Sequence, residues 1–132
     1  MTASNYLELE VLDHVLGGAD YTRPATVYVG LHTADPGETG ATGEVSGNNY
    51  SRVSVTNNST NWPAASGGSK SNGAAITFAT PSGPWGTVTH FSIWDASTSG
   101  NCLFKGALTA SQVIGTGNEV SFGIGAITIT AD

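Results

Sequence analysis

Charge is what this sequence has least of. Only 11% of its 132 residues are Asp, Glu, Lys or Arg, and the basic ones are Arg23, Arg52, Lys70 and Lys105 alone. Formal net charge is -6. With no basic stripe to neutralise phosphates, direct nucleic-acid binding is excluded. An anionic membrane surface would repel the chain, whereas a basic protein surface suits it. Cysteine is nearly absent too: the single Cys102 has no internal partner for a disulfide. It reads as a small buried hydrophobe rather than a reactive thiol, because only Lys105 is cationic nearby in sequence. No apolar run approaches the length needed to cross a bilayer. The first residues lack a basic stretch followed by an apolar one, so no signal peptide is expected.

What is present is glycine, 18 residues of it, with abundant Ser, Thr and Asn. Small polar residues at low charge suit a rigid β-protein rich in turns and not a disordered chain. The length fits one domain with its own core. We read it as residues 1–132, with a helical segment at 1–18 and a β-sandwich over 19–132.

Asn5 to Leu16 has helical periodicity. Leu7, Val11 and Val15 form one stripe, which Leu9, Leu12 and Leu16 widen. Asn5 is the expected N-cap with Glu8 in the capping-box position, and Gly17-Gly18 ends the helix. Ala25 to Leu31 alternates as a half-buried strand, closed by Asp35-Pro-Gly37. Residues 36–48 and 57–73 read as long polar loops, the first exposed and functional or mobile. Strands are expected around Tyr50–Thr56 and Ala75–Ala79.

Trp85 to Asp95 and Cys102 to Leu108 read as a hairpin around the turn residues Asp95 to Asn101. Phe91 and Ile93 share one face, and His90, Ser92 and Trp94 the other. Near the C-terminus Val120, Phe122 and Ile124 have one parity and Ile127 and Ile129 the opposite. Gly123 and Gly125 therefore predict a bend at which the strand changes direction or sheet. Six to eight strands after one helix suggest a mainly β fold, a two-sheet sandwich or jelly roll.

Catalytic and metal signatures are weak. His14, His32 and His90 have no metal-ligand spacing. Asp35, Glu38 and Glu44 offer oxygen to calcium but match no EF-hand, and read as solvated loop carboxylates. The glycines after Asp35 lack the Gly-Lys-Ser/Thr ending of a phosphate cradle. No feature couples Asp20 with Asp95 into a glycosidase pair, and no serine sits in a nucleophile elbow. Neither catalysis nor a metal or other cofactor is expected. Trp62, Trp85 and Trp94, with Tyr28 and Tyr50, are read first as core or subunit-interface packing; the alternative is a sugar-binding platform.

Four stretches carry a resemblance: Ala25–Gly37, Gly47–Val53, Trp85–Asp95 and Phe122–Thr130. In this order they resemble the small tailed-bacteriophage proteins described as tail fiber-like. The resemblance implies a virion structural protein with no catalytic residues to transfer. The expected role is capsid decoration, an oligomeric cement (dimer or trimer) clamping neighbouring major capsid protein subunits on the outer head surface. The alternative is a tail- or head-fibre component that binds host surface glycan. Tyr6, Leu9, Leu16, Trp62 and Trp94 are the candidate interface residues.

Overall fold

The computed structural model describes residues 2–131. Met1 and Asp132, the outermost residues of the expected helical and sandwich segments, lie outside the described residues. The elements follow the order β1 (Thr2–Ala3), α1 (Asn5–Val15), β2 (Thr26–His32), β3 (Val53–Thr56), β4 (Ser69–Ser71), β5 (Ile76–Thr77), β6 (Gly86–Trp94), β7 (Cys102–Ile114), β8 (Ser121–Phe122) and β9 (Thr128–Thr130). Five strands form an antiparallel sheet in the order β1-β7-β6-β2-β3. Two ribbons, β4-β9 and β5-β8, supply the second layer. Phe122 on β8 packs edge-on against Phe91 on β6, 5.8 Å between ring centres, which ties the layers together. The fold is mainly β with one helix, and a sandwich describes its packing. Its hydrogen-bonded order is not the pair of four-stranded sheets of a jelly roll.

β6 and β7 form the expected hairpin. Asp95 closes its turn by accepting hydrogen bonds from the Asn101 backbone at 2.7 Å and side-chain amide at 2.9 Å. β7 runs six residues past the expected Leu108: an irregularity opposite Val88–His90 leaves Leu108–Ser111 out of register, and pairing with β6 resumes at Gln112–Ile114. β6 lies between β7 and β2, and both its faces are covered. Phe91 and Ile93 join the core, while Ser92 and Trp94 are buried on the opposite face.

That second burial qualifies the reading of residues 36–48. Most of the segment is exposed, as expected, but part of it packs down on β2 and β6. Val45 donates its N–H to the Leu31 carbonyl, Thr33 donates to Gly43, and Pro36 and Gly40 are buried. Its small residues permit the approach: a side chain at Gly40 would collide with Trp94 and Cys102, and its φ of +74° favours glycine. β2 is likewise buried on both faces at its end, so the half-buried expectation fails at Gly30 and His32.

Residues 57–73 are not simply loop. They contain β4, and they bury Trp62 and Asn72. Asn72 organises the predicted C-terminal bend. Its side-chain amide donates to the carbonyls of Ala74 and Gly123, each at 2.9 Å, and its Oδ1 accepts the Ile127 N–H. The Asn72 backbone adds bonds to Ile127 and Gly125. The chain thus turns at Gly123–Gly125 and passes from the β5-β8 ribbon to the β4-β9 ribbon, as the parity change implies.

The helix cap falls one residue earlier than expected. Ser4, not Asn5, is the N-cap, its Oγ accepting the Leu7 N–H at 3.2 Å. β1 explains the shift: the Ser4 N–H pairs with Leu103 as the chain leaves the sheet, and its hydroxyl donates to the Cys102 carbonyl. The residue at that strand-to-helix corner becomes the cap. On the helix itself only Leu7 is buried.

Candidate functional site

A connected polar cluster lies under the 36–48 segment. The Glu44 carboxylate accepts from Arg52 through both oxygens, at 2.9 Å from Nε and 2.8 Å from Nη2. Tyr50 donates its hydroxyl to the same carboxylate at 2.8 Å and accepts the Leu31 N–H at 3.0 Å. Arg52 Nη1 donates to the carbonyls of Ala96 and Ser99 in the hairpin turn. Gly30 sits in the middle, where a Cβ would press on Ser92, Glu44 and Tyr50. Burial raises the Glu44 pKa, but the hydrogen bonds from Arg52 and Tyr50 outweigh it and leave it below the usual carboxylate value. This corrects the solvated reading of Glu44. Asp35 and Glu38 do stay exposed, both paired with Lys105 at 3.0 and 3.6 Å.

Beside Glu44, His32 and Ser92 are hydrogen-bonded at 2.7 Å. The Thr42 carbonyl, 2.8 Å from His32 Nδ1, can only accept, so Nδ1 carries the proton and Nε2 accepts from the Ser92 hydroxyl. Trp94 Nε1 donates to the same Ser92 oxygen at 2.7 Å. Burial pushes the His32 pKa below its ordinary value, favouring the neutral ring that this chain of bonds needs. The pair has the composition of a nucleophile and its base. Both side chains, however, are 0% exposed.

The other titratable candidates are dispersed. His14 accepts the Tyr21 N–H at 3.1 Å and stands 3.9 Å from Asp20. His90 contacts the Thr89 hydroxyl at 2.8 Å. Asp95 is committed to its turn. Among the described residues no group of three or more His, Cys, Asp or Glu side chains could hold a metal ion.

The tryptophans are interior. Trp62, Trp85 and Trp94 are 7%, 5% and 5% exposed, so they form no sugar platform. Phe78 and Tyr50 both pack edge-on against Trp85 and stack on each other. Trp62 Nε1 is buried without an acceptor.

Most of the exposed large aliphatic residues lie on or next to the helix. Leu9, Val11, Leu12, Val15 and Leu16 are exposed at 64%, 47%, 57%, 69% and 72%. Tyr6 is half-buried. One turn away opens a groove of about 460 Å³ between α1, the 57–70 segment and the sheet. Leu7, Val11, Tyr21, Pro24, Val27 and Trp62 form much of its wall, with Arg23 and Lys70 beside them. Sequence periodicity found the helix face; the groove, built from segments far apart in the chain, had no local signal.

The polar cluster beneath the 36–48 segment and the exposed apolar residues of the helix are the two features that stand out in this small β-rich module. The family model described as podophage GP4 fiber I protein gp80 matches residues 2–130. The chain belongs to this family of phage fibre proteins and is a virion structural protein. No curated protein sequence matches it.

Proposed function

We propose that the chain is a component of the podophage fibre apparatus, acting as a compact attachment module at the tail or fibre. The observation that carries this is the family match over residues 2–130, under a description that names a fibre. It favours the fibre alternative over the head-lattice cement first expected from the sequence. The proposed role is structural and not catalytic. Its buried polar cluster ties β2, β6, the 36–48 segment and the 95–101 turn together, giving a stiff body whose docking elements keep their places. The tryptophans are no part of any contact with host glycan; exposed residues would have to make it.

Copy number per purified virion, measured by quantitative mass spectrometry against the major capsid protein, tests this reading. A fibre component occurs in a few to some tens of copies, on the order set by the symmetry of a single tail. A ratio near one per capsid subunit would overturn the proposal and restore the cement reading.

A further inference from the structure

The helix face and the groove beside it are complementary to each other in two respects. The first is apolar. Four large aliphatic side chains stand exposed on the 11-residue helix and a fifth, Leu16, at its C-cap, a larger cluster than scattered surface hydrophobes. They supply only part of the ~800 Å² that a stable interface takes from each partner, so an occupant must also fill the groove.

The second is charge. Residues 2–22 contain Glu8, Glu10, Asp13 and Asp20 and no Lys or Arg. Of the chain's four cations, Arg52 is paired with Glu44, and Lys105 with Asp35 and Glu38. Arg23 and Lys70 have no carboxylate partner among the described residues, and both line the groove. Lys70 is held in place by the carbonyls of Trp62 and Pro63, at 3.2 and 2.8 Å, which fixes its charge at the wall. The groove therefore calls for an apolar segment bearing acids. α1 is such a segment, and Glu8 lies on the same helix face as Val11, Leu12 and Val15 by its spacing.

We propose that a second copy of this chain docks here, two copies laying their α1 helices antiparallel across each other's grooves about a two-fold axis. The same patch then serves on both sides, as a two-fold interface requires. Antiparallel packing brings the first turn of one helix, with Glu8, to the segment after the partner helix, with Arg23. Trp62, whose indole N–H lacks an acceptor, lies beneath the covered surface. This inference stands whether the chain is mounted on a fibre or on the head.

Sedimentation of the purified chain tests it. The wild type should form a dimer of twice 13.4 kDa. Glu8→Lys and Arg23→Glu, both at exposed positions, should each be monomeric and folded by circular dichroism. Mixed one to one, the two variants should form a dimer again, because each altered position then faces an opposite charge. Leu12→Gln should abolish the dimer and unfold with the midpoint that the wild type shows at concentrations dilute enough to be monomeric. A wild type that stays monomeric up to about 1 mM, the weak end of useful affinity, overturns the proposal. So does a dimer that the single variants leave intact, or a mixture that fails to reassociate.

Discussion

The guanidinium carbon of Arg52 lies 3.7 Å from the centre of the Trp94 ring. One face of this side chain stacks on the indole while its edge holds both oxygens of Glu44, so a single residue joins β6, the 36–48 segment and the hairpin turn. The arrangement depends on a planar fork that lysine does not have. Arg52→Ala leaves Glu44 half-buried without its cation. We expect a loss of roughly 3 kcal/mol, the low end for a broken buried pair because Glu44 keeps some water contact. Arg52→Lys should recover only part of it. Urea unfolding monitored by tryptophan fluorescence measures both.

Protonation should loosen the same region. The folded-state pKa of His32 is lowered by burial, so the unfolded chain binds the proton more readily. Stability is then full above the ordinary histidine value and falls as pH drops below it, towards the lowered folded value. Glu44, also lowered overall, adds a further loss as pH falls below the ordinary carboxylate value. The thermal midpoint should decline between about pH 7 and pH 5, and His32→Asn should flatten that window. A decline that persists unchanged in the variant would place its origin in another group.

Cys102 should be chemically silent in the native chain. Burial pushes its thiol pKa up to about 11, and its side chain lies against Gly40. Thiolate is the reactive form, so a disulfide reagent at neutral pH should label the folded protein negligibly and the unfolded protein completely. Fast labelling without denaturant would show that the 36–48 segment opens.

Asn72, itself buried, holds the C-terminal bend with three side-chain hydrogen bonds, of which the one to Ile127 is fully buried. Asn72→Ala strands the Ile127 N–H, and an unsatisfied buried group costs roughly 1–3 kcal/mol. The Ala74 and Gly123 carbonyls belong to partly exposed and exposed residues and can turn to water. A destabilisation of roughly 1–3 kcal/mol is expected in chemical denaturation.

The hairpin, the opening helix and the bend at Gly123–Gly125 were legible in the sequence, because each is written in a local period or a break in one. Tertiary pairings were not. Glu44 and Arg52 are eight residues apart across two turns, and Trp94 is 42 further on, so no spacing announces their contact. The same holds for Asn72, which looks like one more polar residue in a polar stretch until Ile127 comes beside it. Polar composition marked 36–48 as exposed, which most of it is, but gave no sign that Gly40 packs closely against Trp94 and Cys102. For the helix, periodicity drew a wide apolar face but could not tell that the sheet would cover only Leu7.

The most direct test of the fibre assignment is where the protein sits on the particle. Gold-labelled antibodies against the purified chain, applied to intact virions and viewed by electron microscopy, should mark the tail or fibre end and leave the head bare. Label spread evenly over the head would contradict the assignment and identify a capsid decoration protein.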